Sequence, residues 1–216
     1  MLDINIFLEN WPNLIKATGI TLSIALLSSC IGLVVGTFLG LIISEKNKLL
    51  SSLAQIYITV IRGTPMLLQI MFLYIFFSHM NFAISEFLTA VIAIGLNSSA
   101  YVSQIVYSGI KSISKGQIEA AKTLGIKRTD LIIHIILPQA FKIIVPAIGN
   151  EFVTLIKDSS LASLIGVMEL VKRGEIMISR THDTISVYII IGLIYLSINT
   201  TLTLLINKID KKLNKN

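Results

Sequence analysis

Five long apolar runs constrain this chain more than any other feature. They lie at roughly Thr18–Ile43, Leu53–Phe77, Ile84–Ile110, Ile143–Gly166 and Thr184–Ile206. Each is close to the roughly 20 residues that a helix needs to cross the hydrocarbon core of a bilayer. A backbone in lipid must satisfy its own hydrogen bonds, so such runs are read as helices. Composition points the same way. Apolar residues make up 54% and charged residues only 14%, with a mean hydropathy of +0.81, whereas soluble domains carry about 25% charged residues. A cytosolic enzyme, a nucleic-acid module and a disordered scaffold are all excluded on that balance. The expected fold is all-α: a polytopic membrane protein with five transmembrane helices, forming a single domain over residues 1–216 with little mass outside the membrane. No fixed-period repeat and no low-complexity tract is present. The amino end, Met1–Lys16, carries Asp3 and Glu9 instead of the basic start of a signal peptide, so the first span is expected to be retained.

Orientation follows from lysine and arginine. Lys46 and Lys48 follow the first span, Lys111, Lys115, Lys122, Lys127, Arg128 and Lys142 separate the third from the fourth, and Lys208, Lys211, Lys212 and Lys215 end the chain. These twelve fall on one side. The other side has four: Lys16, Lys172, Arg173 and Arg180, while Arg62 and Lys157 fall within spans. The excess predicts an amino end outside and a carboxyl end in the cytoplasm. The basic outer segment 167–183 runs against the rule and so is set apart as having a role of its own.

Within the spans, Ser28, Gly32, Gly36 and Gly40 recur every four residues, which places them on one helix face and allows a close helix contact. Cys30 is the one cysteine. It has no intrachain partner and reads as a small membrane-buried residue. His79, His134 and His182 fall in separate loops without metal-ligand spacing. The chain lacks the phosphate-binding pattern G-x-x-x-x-G-K-[ST], so it hydrolyses no ATP by that route.

The segment Lys111–Pro138 carries the most specific pattern. It reads Glu119-Ala120-Ala121-Lys122-Thr123-Leu124-Gly125, nine further residues, then Ile135-Ile136-Leu137-Pro138. Glu119–Leu124 favours helix, Gly125 suits a left-handed cap, and an amphipathic stretch Thr129–Leu137 is expected to stop at Pro138. A short helix–turn–helix with small Ala120 and Ala121 exposed would let another protein dock closely. This segment resembles the EAA loop of bacterial ABC importer permeases in every fixed position and both spacings. Other segments resemble the polar amino-acid permeases of the histidine, glutamine and arginine type: Ile61-Arg62-Gly63-Thr64-Pro65 followed by Leu67, Leu68 and Gln69; Ser99-Ala100-Tyr101; Ser108-Gly109-Ile110; Asn150-Glu151-Phe152; Lys157 to Leu161; and Ile165 to Leu170. The likeness runs from about Trp11 to Lys212. Where that family often has an acidic and a basic residue one helical turn apart, this chain has neutral Gln104 and Tyr107, which reads as a replaced structural pair.

The resemblance implies a transport subunit of the bacterial cytoplasmic membrane and not an enzyme. Glu119, Ala120, Ala121, Gly125, Leu137 and Pro138 would couple it to a dimer of ATP-binding cassette subunits. ATP and magnesium would sit on those partners, with no cofactor and no metal on this chain. A second permease copy or paralogue and an extracytoplasmic solute-binding protein would complete the system.

The residues themselves suggest the pathway. Charges at membrane depth are expensive and usually face a bundle interior. Glu151, Thr154 and Asp158 fall on one face if the fourth helix is unbroken. That acidic stripe suits a cationic side chain. For Asp158 the preferred reading is as the cap of a helix restarting at Ser159, with the pathway as the other. Glu151 has no basic neighbour on its own face, so it is expected to be protonated, paired with another helix, or matched by a cationic ligand. Gly63 and Pro65 interrupt the second span, and transporter midplane sites are often built from such breaks, which puts Thr64 and Pro65 on the pathway while Arg62 snorkels. Asn97 and Ser98 serve either the pathway or interhelix bonding. The expected substrate is a polar amino acid, basic by preference (arginine, lysine or histidine). Glutamine, glutamate or cystine is the alternative within transport, and a membrane-embedded enzyme or scaffold the alternative outside it.

Overall fold

The computed structural model describes residues 4–45 and 47–214. Asp3, Lys46 and Lys215, which enter the charge argument, lie outside the described residues. The described chain is helical throughout, in the order α1 (Ile4–Ser44), α2 (Lys48–Gly63), α3 (Met66–His79), α4 (Glu86–Lys111), α5 (Lys115–Thr123), α6 (Arg128–Asp130), a π-helical turn (Leu131–Ile136), α7 (Leu137–Asp158), a 3₁₀ stretch (Ser159–Ile165), α8 (Leu170–Thr181) and α9 (Thr184–Leu213). Four stretches, 8–44, 86–111, 128–165 and 184–213, are long and apolar enough to cross a membrane. The expected second span is instead two helices, α2 and α3, bent by 104° at Thr64–Pro65.

The structure is built around α4. Its buried positions are rich in small residues, including Ala90, Ala93, Gly95, Ser98, Ser99, Ala100 and Ser103. Small side chains let backbones approach, which matters in lipid because tails compete equally for apolar surface. The four-residue stripe on α1 meets this face. A Cβ at Gly36 would sit 2.7 Å from Ser99 O, and one at Gly40 would sit 2.8 Å from Ser103 O. Ser28 Oγ donates to Val91 O at 3.1 Å across the same contact. Cys30, by contrast, is exposed on the outer surface of α1 and not buried in the bundle.

Helix α1 begins well before the expected Thr18. Its stretch 8–44 holds 37 residues, about 55 Å at 1.5 Å per residue. The early turns are helical because they have something to cover: Leu14 and Ala17 pack with Leu170, Met177, Val187, Ile190 and Ile191 of α8 and α9. The basic segment 167–183 is therefore largely helix. Its start is fixed by Glu169, wholly buried, whose carboxylate accepts from Val171 N at 3.0 Å and Lys172 N at 2.7 Å. Tyr195 on α9 donates its hydroxyl to the same carboxylate at 3.2 Å, and Leu170 N donates to Thr21 Oγ1 on α1 at 3.2 Å. Burial pushes the Glu169 carboxyl up, and these three donors pull it partly back.

Candidate functional site

The cavity forms where the α2–α3 break, α4 and α7 present their irregular or polar stretches. Thr64, Pro65 and Met66 come from the α2–α3 break, Asn97 and Tyr101 from α4, and Glu151, Thr154 and Asp158 from α7; together they line about 300 Å³. Six of the seven pathway candidates therefore meet around one space. The seventh, Ser98, lies behind it and donates its hydroxyl to Glu151 Oε1 at 2.9 Å. Glu151 is thus paired with another helix through a neutral donor, while its second oxygen accepts no hydrogen bond among the described residues. No lysine or arginine is among the lining residues. Arg62 lies behind Tyr101, its guanidinium carbon 5.0 Å from the ring centroid, a cation–π arrangement.

Asp158 does not cap a restarting helix. Helix α7 runs into the 3₁₀ stretch with Asp158 in right-handed helical geometry and no cap bond from its side chain. Continuous helix leaves few orphan amides there to cap, so the carboxylate is left facing the cavity beside Thr154. Thr154 itself donates back to Asn150 O at 3.2 Å.

Sequence reasoning missed Met66 and Tyr101 as lining residues, and it missed Gln69. The Gln69 amide donates to Ile61 O at 2.8 Å and to Thr64 Oγ1 at 2.7 Å, and accepts from Asn97 Nδ2 at 2.9 Å. The available signal was a polar residue one turn after a helix-breaking proline.

The coupling candidates occupy α5 and the helical stretch after it. Gly125 takes φ +71°, Gly125 N donates to Lys122 O and Ile126 N to Ala121 O, both at 3.0 Å, the paired bonds of a Schellman cap. Glu119, Ala120, Gly125, Leu137 and Pro138 are exposed, but Ala121 is only 3% exposed. Successive residues point 100° apart on a helix, so Ala120 and Ala121 cannot share a face. Nor does the second helix stop at Pro138. The π-helical turn leads directly into α7, and Pro138 sits at that junction in the first turn of α7. The histidines also differ from expectation. His79 ends α3 and His134 lies inside the π-helical turn, 3.2 Å from Asp130 O; only His182 is in a connection. Among the described residues no three potential ligands gather as a metal site.

Residues 12–215 match the family described as binding-protein-dependent transport system inner membrane component. The chain is similar to the arginine transport system permease protein ArtQ of Bacillus subtilis, 38% identical over 216 residues, covering all of this chain and 99% of that protein. It is similar to a putative glutamine transport system permease protein GlnP of Rickettsia bellii, 35% identical over 201 residues, covering 93% of this chain and 92% of that protein. Among solved structures, it resembles an amino acid ABC transporter crystallised with histidines, with a TM-score of 0.93, 34% identity, and coverage of 98% of this chain and 99% of that one.

Proposed function

This chain belongs to the family of inner membrane components of binding-protein-dependent transport systems, and from that premise we propose that it is the membrane-spanning subunit of an ATP-driven ABC importer for polar amino acids, basic ones by preference. The observation that carries the preference is that Glu151 and Asp158 face one cavity with no basic side chain in its lining. A guanidinium or ammonium group pairs with such carboxylates through charge-assisted bonds. The nearest protein donor, Ser98, is neutral, so it leaves the Glu151 charge available to a ligand.

The bent α2–α3 pair counts as one span in this reading, giving five, with the whole chain one domain. The amino end lies outside and α5 lies in the cytoplasm. There the exposed Glu119, Ala120, Gly125, Leu137 and Pro138 meet an ATP-binding cassette subunit that holds ATP and magnesium, and buried Ala121 supports them from within. A second permease copy or paralogue and an extracytoplasmic binding protein complete the transporter. The neutral groups of Thr64, Asn97 and Thr154 favour a second reading, a glutamine or cystine permease, since they can hydrogen-bond an uncharged side chain. Glutamate fits poorly beside two carboxylates.

The test is Glu151→Gln in the reconstituted transporter. A charge-assisted bond contributes roughly 1.5–3 kcal/mol, so uptake of a cationic amino acid should fall about 10- to 150-fold while uptake of a neutral amide changes far less. Equal loss for both solutes would remove the basic preference. Two further measurements address the rest. Gly125→Asp should lower substrate-stimulated ATP hydrolysis without preventing insertion. With Cys30 replaced by alanine, a cysteine at position 5 should react with an impermeant reagent in intact cells and one at position 214 should not.

A further inference from the structure

Proline 65 has no amide hydrogen. In a continuous helix residue 65 would donate to the carbonyl of Ile61, so the proline leaves that carbonyl without its partner. Gln69 supplies the missing donor, with Nε2 2.8 Å from Ile61 O. The other hydrogen of the same group is shared between Thr64 Oγ1 at 2.7 Å and Thr64 O at 3.2 Å. The direction is consistent, because the Thr64 hydroxyl donates its own hydrogen to Val60 O at 2.9 Å. The opposite end of the amide, Oε1, accepts from Asn97 Nδ2 at 2.9 Å. Asn97 is 4% exposed, so its pairing is made in a place where an unmade bond is costly. One half-buried side chain therefore closes the break between α2 and α3 and ties it to α4. Gln69 does not line the cavity, but Thr64, Pro65 and Asn97 on either side of it do.

We propose that Gln69 is a positioning residue: its amide replaces the backbone bond that Pro65 removes and holds the 104° bend against Asn97, so that Thr64, Pro65 and Asn97 present one fixed geometry to the solute. The proposal rests on the reading of this cavity as the transport pathway. A chain that merely needed a polar residue at position 69 would not depend on which end of the amide is kept, and that separates the two ideas. Gln69→Glu keeps the size and the acceptor toward Asn97 but loses both donors into the break. Gln69→Leu loses everything. Pro65→Ala restores an amide at position 65 that can serve Ile61 O directly.

The experiment uses the reconstituted transporter, with KM and maximal rate for uptake and a melting curve for each variant. Gln69→Glu and Gln69→Leu should each raise KM by about 5- to 10-fold, an effect on solute binding of about 1 kcal/mol, with a smaller change in maximal rate. Pro65→Ala should relieve part of the drop in melting temperature caused by Gln69→Leu, a non-additive pair, while KM stays raised because the bend has relaxed. A wild-type KM in Gln69→Glu, or strictly additive melting shifts, overturns the proposal. If Glu151→Gln moves KM and the Gln69 variants do not, positioning alone has failed. If neither does and melting is still non-additive, the pathway reading has failed and takes the proposal with it.

Discussion

Two glutamates in this molecule point into its interior and do opposite things. Glu169 is wholly buried and accepts from two amides of α8 and the Tyr195 hydroxyl. Glu151 is half-buried, accepts from Ser98 and faces an open space of about 300 Å³ that it shares with Asp158. The first carboxylate is used up in capping α8 and tying it to α9. The second is partly satisfied and has room in front of it. A buried charge is costly when its bonding capacity is unmet, so the pattern of donors, together with burial, separates a structural carboxylate from one free to meet a ligand.

The largest test of that contrast is truncation. Glu169→Ala removes a helix cap and strands Tyr195 and two amides, which should cost about 2–4 kcal/mol of stability, measured by SDS-induced unfolding of the purified protein. Glu151→Ala should cost less than about 1 kcal/mol, the single Ser98 bond. Comparable losses at the two sites would erase the distinction. Ser98→Ala sharpens it at Glu151: removing that one donor should change uptake about fivefold, for a bond of roughly 1 kcal/mol, and leave the packing against Gly32 in place because the serine Cβ remains. An unchanged uptake would mean Ser98 does not orient the carboxylate.

A smaller effect depends on pH. Burial, aided by nearby Glu175, holds the Glu169 carboxyl above its ordinary range despite its donors, so the folded state favours the protonated form. The stability this contributes is complete below the unfolded value, near about 4.3, and is lost as pH rises through the raised folded value. Wild type should therefore lose stability relative to Glu169→Gln as pH rises above the ordinary glutamate range. A pH-independent difference would show that the three donors offset burial in full. The smallest effect expected nearby is at the partly exposed pair Lys172–Glu175, 2.8 Å apart. Lys172→Ala should change stability by no more than about 0.5 kcal/mol, confirming that the helix is held by its cap and not by its charges.

Much of the cavity could be read before any coordinates. Glu151, Thr154 and Asp158 share a face because helical spacing fixes it, and Pro65 marks a break because it has no amide. The reading failed where neighbours in space decide. Ser98 behind Glu151, Tyr101 in the lining and Gln69 across the break depend on how α3, α4 and α7 are rotated against one another, and no local pattern carries that angle. Asp158 looked like a cap because Asp-Ser-Ser so often is one, but α7 continues past it as 3₁₀ helix and leaves it nothing to cap. Pro138 looked like a stop, but the π-helical turn before it runs on into α7 across the proline.

The sequence by itself determined the class of the protein, its apolar helices, the break at Thr64–Pro65 and the candidate acidic face, because composition, helical period and proline chemistry act within a segment. The tertiary structure alone decided that Glu169 is consumed by its donors while Glu151 is not. Two glutamates are chemically identical in a sequence, and only the packing of other helices around each one sets how many donors it meets and whether a space is left before it.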